Sequence, residues 1–323
     1  MALFSDEDGE PSWSDGVLPR SIKSLHSADR DEGPLYAALS DEGDVYFMEG
    51  DIAVERIEGA GIHSDDAIGL GAMDFLTVID GQLYACGDGA QIYHRTGPDA
   101  WTTLSTKNRA DQINNMFHSV IRKPGTTDLL VACGFSRTIY REASPEELAE
   151  LDQMRASSPR AEYRNKLRAY TGKQSPAQGC LYIGNDAGWQ SLELPDGNYL
   201  HDIAALSGDS FIAVGSAGVI VSGSGPDDLE NRSLDGVMEK FKSVCVDGDR
   251  ILILGETAIQ VLNTEFEEAQ SILLPDGVGK ANRMDVVDGV IWFFGYEGVA
   301  RYKDATWDII EIPPWLWEEA EPD

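Results

Sequence analysis

Apolar residues along this chain come in short runs of strand length, each interrupted by a glycine and followed by a second short run. Five runs share the pattern: LYACGDGAQIY from Leu83, LLVACGFSRTIY from Leu129, FIAVGSAGVIV from Phe211, ILILGETAIQV from Ile251 and IWFFGYEGVARY from Ile291. Val, Ile, Tyr and Phe supply strand propensity, and the glycine is read as the turn residue. The marker glycines, Gly87, Gly134, Gly215, Gly255 and Gly295, are spaced by 47, 81, 40 and 40 residues. A sixth copy, LYAALSDEGDVYF from Leu35, carries Ser40 at the marker, 47 residues before Gly87.

Two further patterns flank each hairpin. The one before it reads apolar, variable, Ser or Asp: Leu25-His26-Ser27, Ala72-Met73-Asp74, Phe117-His118-Ser119, Leu200-His201-Asp202, Phe241-Lys242-Ser243 and Arg283-Met284-Asp285, where Arg283 breaks the apolar rule. The one after it begins at Val54, Trp101, Trp189, Asn231, Gln270 and Trp307. Three patterns in fixed order predict four strands per unit. Six units of this length predict an all-β fold, a six-bladed β-propeller filling residues 1–323 as one domain. A seven-bladed ring is the alternative, with a degenerate blade built from the N-terminal segment around Trp13.

The 81-residue interval contains no second complete unit. Residues 144–178 are read instead as a helical insertion in the third blade. Ser144-Pro145-Glu146-Glu147 has the form of a capping box with proline at the first helical position. Leu148, Leu151 and Met154, then Tyr163, Leu167 and Tyr170, recur at helical spacing.

The units resemble the BNR, YVTN and Ycf48-like propellers. The residues that carry the resemblance are Gly215-Ser-Ala-Gly218, Gly295-Tyr-Glu-Gly298 and the outer-strand Trp101, Trp189 and Trp307. The sialidase Asp-box, Ser-x-Asp-x-Gly-x-x-Trp, is intact nowhere, and no arginine triad maps onto the chain. The resemblance therefore implies a fold and no glycosidase activity.

Composition changes the picture in one respect. The chain has 56 Asp and Glu against 25 Lys and Arg, a formal charge of −31. Such a field repels nucleic acid and anionic lipid and favours a basic protein partner. The hairpin turns and blade connections share one face, which receives Asp41, Glu42, Asp44, Asp65, Asp66, Asp88, Glu256, Tyr296 and Glu297 as a candidate partner-binding rim. The insertion is the basic exception. Its Arg155, Arg160, Arg164, Lys166 and Arg168 form a second candidate binding element, or else pair with the acidic body. Residues 1–20 and 313–323 read as acidic tails.

No phosphate-binding loop, nucleophile elbow or HExxH motif occurs, so no catalytic residue and no cofactor are expected. His26, His118 and His201 occupy the middle of their triads and are expected at one level of the channel, with the neighbouring Ser and Asp turned to the other face. They are the candidates for a metal, but Lys242 at the same level opposes a cation, and no metal is expected. Cys86, Cys133, Cys180 and Cys245 lack metal spacing and are read as buried free thiols. MALFSDEDGE has no basic or apolar leader character, so a cytoplasmic chain is expected. Acidity without catalytic motifs is similar in character to the immunity proteins of bacterial toxin systems. That likeness implies a non-enzymatic inhibitor whose partner is basic, such as a cognate toxin. A scaffold or assembly factor, and a hydrolase or lyase using the channel mouth, are the alternatives.

Overall fold

The computed structural model describes residues 2–5, 12–15, 21–28, 35–49, 51–104, 115–136, 139–140, 144–157, 162, 166, 169–170, 173–175, 177–194, 197–279, 281–287, 289–295 and 298–311. It is a six-bladed β-propeller, each blade an antiparallel four-stranded sheet. The strands of blade one are Ile22–Ala28, Leu35–Ser40, Asp44–Glu49 and Asp51–Arg56; those of blade two are Met73–Ile79, Gln82–Gly87, Ile92–Gly97 and Ala100–Thr103. Blade three uses Asn115–Arg122, Leu130–Ser136, Gln178–Asn185 and Gly188–Leu192; blade four uses Leu200–Ala205, Phe211–Gly215, Ile220–Gly223 and Glu230–Asn231. Blades five and six are Ser243–Asp247, Arg250–Leu254, Ala258–Asn263 and Glu268–Leu273, then Ala281–Val287, Val290–Gly295, Gly298–Lys303 and Thr306–Glu311. Among the described residues the N-terminal strands Ala2–Ser5 and Ser12–Asp15 pair only with each other, as a separate hairpin and not as a seventh blade.

Burial joins blade to blade. Ala37, Leu39 and Phe47 of blade one pack on Leu76, Leu83 and Tyr93 of blade two. Similar clusters join blades two and three around Phe117, three and four around Phe211, four and five around Phe241, and five and six around Phe293. Each of these four phenylalanines is essentially inaccessible to solvent. Burial of such a ring contributes about 1.5–3 kcal/mol.

The outer tryptophans add a polar tie to the same junctions. The indole N–H of Trp101 donates to Glu55 of blade one at 3.1 Å, that of Trp189 to Leu104 O beyond blade two at 2.9 Å, and that of Trp307 to Leu273 O of blade five at 2.9 Å. In each case an outer strand bonds to the preceding blade.

The marker glycines serve a different purpose from the one the pattern suggested. None lies in the left-handed region. Gly87, Gly215 and Gly295 end a second strand and Gly134 lies two residues from the end of one, all pressed against the chain entering the first strand: a Cβ on Gly134 would stand 1.8 Å from Met116 O, and one on Gly215 1.7 Å from Tyr199 O, while Gly255, just past its strand, faces the Glu239 carboxylate. Close approach, not turn geometry, demands glycine here.

Blade three departs from its predicted hairpin. In LLVACGFSRTIY, the terminal Ile139–Tyr140 is not the third strand; it pairs with Lys173–Ser175 in a two-stranded ribbon. The third strand is Gln178–Asn185, which pairs with Leu130–Ser136. The insertion thus occupies the hairpin turn itself. Its helix, Pro145–Ser157, has the predicted cap: Glu147 N–H donates to Ser144 Oγ at 3.3 Å, and Ser144 N–H to Glu147 Oε2 at 2.8 Å. Leu151 is buried, Met154 half-buried and Leu148 exposed.

Gly215→Ala is expected to destabilise the fold by several kcal/mol, because backbone must move to admit the methyl group. Gly225→Ala, whose Cβ would meet open space, is expected to stay within about 0.5 kcal/mol. Urea denaturation midpoints of the two variants measure the contrast.

Candidate functional site: the channel mouth

Five of the first strands carry a β-bulge opposite the marker position. The pairing skips one residue between Ile22 and Ser24, Met73 and Phe75, Phe117 and Ser119, Leu200 and Asp202, and Ala281 and Arg283. In blade five Ser243 pairs with Leu254, and Lys242, whose N–H also donates to Leu254 O, takes the corresponding place. The extra residue of a bulge is re-aimed and breaks the simple alternation of a strand.

The equivalent backbone positions are therefore those of Lys23, Asp74, His118, His201, Lys242 and Asn282. This corrects the sequence alignment in three blades. The triads assigned to blades three, four and five stand, but those of blades one, two and six are out of register by three, one and two residues. His26 pairs with Ala37 deeper in blade one and is not equivalent to His118 and His201. Asp74, expected on the face opposite the imidazoles, is itself a ring member and touches one of them. In blades two, five and six the residue before the bulge lies fourteen positions ahead of the marker glycine. Counting back from the glycine would have recovered the register of blades two and six but not that of blade one, where Ile22 lies eighteen positions ahead of Ser40.

Consecutive ring members meet. His118 Nδ1 lies 2.7 Å from Asp74 Oδ2, and the His118 and His201 rings are 5.6 Å apart. Phe135 lies 5.4 Å from His118 and stacks on Tyr199 at 4.9 Å, so four half-buried rings form a shelf at the foot of the insertion. His201 Nε2 lies 3.0 Å from Ser216 Oγ in the hairpin turn of blade four. Burial, followed by the charge of Lys240 and then His118, pushes the His201 pKa down to about 3. His26 is also held below its ordinary value, by burial first and then by Arg283, against the pull of Asp285. Among the described residues no group of three or more His, Cys, Asp or Glu is placed to hold a metal.

Below the ring, the Ser and Asp positions tie blades together. Ser243 Oγ donates to Asp202 Oδ2 at 2.9 Å, Val244 N–H donates to the same oxygen at 3.0 Å, and Ser24 Oγ donates to Leu76 O at 3.4 Å. The four cysteines are free; Cys86, Cys133 and Cys180 are buried and Cys245 partly so. Burial raises all four thiol pKa values.

The hairpin turns and the blade connections that carry the described members of the acidic rim meet along one face. That face is stitched by the bonds Met73 N–H to Asp41 O, Asp88 N–H to Ala72 O, Ser216 N–H to Tyr199 O and Phe241 N–H to Gly215 O. Several of its acids, however, hold the rim together. Glu42 is only 4% exposed and accepts the N–H groups of Ile62, His63 and Ser64 and the Ser64 hydroxyl at 2.9–3.0 Å. Burial alone would raise its pKa; the bonds from His63, Ile62 and Ser64 more than reverse this and bring it to about 2. Asp66 pairs with Arg56 at 2.8 Å, Asp44 lies 3.6 Å from the same guanidinium, and Asp88 is 4% exposed. Asp65 and Glu256 are exposed and Asp41 half-buried. Tyr296 and Glu297 lie outside the described residues.

Sequence patterning missed Glu239, which braces the hairpin turn of blade five by accepting the N–H of Glu256 at 2.7 Å. Of the insertion bases, Lys166 is paired with Glu150 at 2.9 Å and lies 4.8 Å over the Tyr170 ring, so it is engaged within the insertion and not by the acidic body. Arg155 is described in its backbone alone, and Arg160, Arg164 and Arg168 lie outside the described residues.

The depressed pKa of His201 carries a sign. Above the unfolded value of about 6.5 the imidazole is neutral in both states. As pH falls below it, the unfolded chain binds a proton that the folded chain refuses until about pH 3, so stability falls. His201→Gln is expected to flatten the decline of the urea midpoint between about pH 7 and pH 5. The bonded carboxyl of Glu42 adds its own loss only below about pH 4.5.

No family model matches the chain. Over 286 residues it is 24% identical to Immune protein Tsi7 of Pseudomonas aeruginosa strain PAO1, a match spanning 84% of this chain and 74% of that protein. Among solved structures it is similar to virginiamycin B lyase from Staphylococcus aureus, with a TM-score of 0.63 and 11% identity over 97% of this chain and 88% of the other. It is also similar to YCF48 bound to D1 peptide, with a TM-score of 0.55 and 10% identity over 91% and 82% of the two chains. At these identities the likeness to the solved structures is one of β-propeller fold.

Proposed function

We propose that this chain is a non-catalytic, protein-binding propeller of immunity type, which neutralises a basic partner such as a bacterial toxin effector in the cytoplasm. The observation that carries the reading is the match to an immune protein along most of the chain. A formal charge of −31 supports it, because such a field accelerates encounter with a basic surface and disfavours other partners. The exposed Asp65 and Glu256 and the half-buried Asp41 are the rim acids offered to that surface.

A hydrolase or lyase at the mouth is the second reading, favoured by the adjacency of Ser216 to His201 and of Asp74 to His118. A general base works best with a pKa near the operating pH. His201, at about 3, is a poor acceptor for a serine proton. The geometry therefore supports the binding reading better.

Purified chain mixed with the products of neighbouring genes is expected to capture one of them at low salt. Its association rate is expected to fall at least tenfold, on the order of magnitude for steered complexes, between low and high ionic strength. An Asp65→Lys/Glu256→Lys chain is expected to associate more slowly. Absence of any complex at low salt sinks the reading.

A further inference from the structure

Each blade of the ring has two neighbours. Among the described residues, buried clusters fill the junctions from blade one round to blade six. The junction between blade six and blade one differs. In blade one, Ala37 and Leu39 point towards blade two. Strand alternation turns Tyr36 and Ala38 to the other side, and cross-strand pairing puts Leu25, Val54 and Ile52 on that side with them. In blade six, Val286 and Phe293 point towards blade five, so Val287 and Phe294 face the other way. Leu25, Tyr36, Ile52, Val54, Val287 and Phe294 are 43–53% exposed.

The equivalent positions elsewhere are closed. Phe294 directly precedes its marker glycine; in that place Leu39, Cys86, Cys133, Val214 and Leu254 are 0% exposed. Tyr36 lies four residues ahead of its marker, where Leu83, Leu130, Phe211, Ile251 and Ile291 are at most 4% exposed. The two blades nevertheless meet at the channel, since Arg283 and Asp285 of blade six both bear on His26 of blade one. What is uncovered is the apolar body of the seam.

At the other junctions, the chain leaving an outer strand supplies an apolar plug. Ile57, Leu104 and Leu274 directly follow the last strands of blades one, two and five; Leu194 follows that of blade three by two residues, and Leu234 that of blade four by three. Each packs on the cluster between its own blade and the next. The N–H groups of Ile57, Leu104 and Leu274 donate to Gly43 O, Ile92 O and Thr257 O at 2.9–3.0 Å, which fixes where the plug leaves the sheet. After the last strand of blade six, Thr306–Glu311, the sequence reads Ile312-Pro313-Pro314-Trp315-Leu316-Trp317. Ile312 holds the sequence position of Ile57, Leu104 and Leu274, and the two prolines favour an extended course. Six residues span up to about 20 Å, roughly twice the spacing of packed sheets. Blade one carries Val54 where blades two, three and six carry Trp101, Trp189 and Trp307, and so leaves room at this seam for an indole.

We propose that the open seam between blades six and one is the docking site of the chain's own residues 312–317, with Trp315 and Trp317 against Tyr36, Ile52 and Val54 of blade one and Phe294 of blade six. The segment is then the sixth plug, serving a junction that no following blade strand closes. Burying two indoles against an exposed apolar face supplies the driving force. The docking is independent of the partner-binding reading above.

In the unmodified chain with labelled methyl groups, the indole protons of Trp315 and Trp317 are expected to give NOE cross-peaks to the methyls of Leu25, Ile52 and Val54. Trp315→Ala/Trp317→Ala is expected to lower the urea midpoint. It is also expected to speed amide exchange in Asp51–Arg56 and Val290–Gly295 about tenfold more than in Phe211–Gly215 of blade four. Should the double variant fail to fold, the cross-peaks in the unmodified chain decide by themselves. Their absence overturns the docking, as does exchange that speeds equally in blade four. Cross-peaks from Trp13 in their place identify the N-terminal segment as the occupant, and a dimer that Tyr36→Lys dissociates identifies a second copy; either result also overturns it.

Discussion

Every blade depends on its neighbours to cover its two faces. A four-stranded sheet with strands of two to eight residues has too little area to bury an apolar face against itself. Phe117, Phe211, Phe241 and Phe293 are inaccessible only because the adjacent blade supplies the other half of each cluster. The fold is thus cooperative around the ring, and the short sheets keep their outer strands tied through Trp101, Trp189 and Trp307. Closure also manages sheet edges that would otherwise be open to pairing with other chains.

The same constraint builds the mouth. Packing requires the second strand of each blade to end close against the chain entering the first, which is why glycine recurs there and why Gly134 and Gly215 tolerate no Cβ. Opposite that point the first strand bulges and releases one side chain from the strand's alternation. Bulges in five of the six blades, with Lys242 in the corresponding place in blade five, convert a packing device into a ring of polar positions. In this chain those positions hold two histidines, two lysines, an aspartate and an asparagine.

Net charge and available charge differ. Glu42, Glu239 and Asp66 each satisfy backbone N–H groups of the turns beside them. A carboxylate with such bonds stays ionised yet is engaged in holding loops in place. Part of the −31 charge therefore serves rigidity, and the acids left facing solvent, such as Asp65 and Glu256, are fewer than composition suggests. A rim whose turns are held by bonded carboxylates presents its remaining acids in fixed positions, which favours a partner of matching charge pattern.

The all-β class, the six units, the position of the insertion, the Ser144 cap and the outer tryptophans were legible in the sequence by itself. Each is a local signal: strand propensity, repeat spacing, a capping box, a recurring aromatic. The register of the first strands was not. Leu25-His26-Ser27 satisfies the same apolar-variable-polar pattern as the true triads, Arg283-Met284-Asp285 departs from it only at Arg283, and only cross-strand pairing reveals the bulge that sets which residue is re-aimed. The third strand of blade three was likewise undecidable locally, since Ile139–Tyr140 and Gln178–Asn185 both have strand character and only the second pairs within the blade. The roles of Glu42, Asp66 and Asp88 belonged to tertiary structure for the same reason. A carboxylate's function follows from the donors that fold around it, and those of Glu42 lie 20 to 22 residues away along the chain.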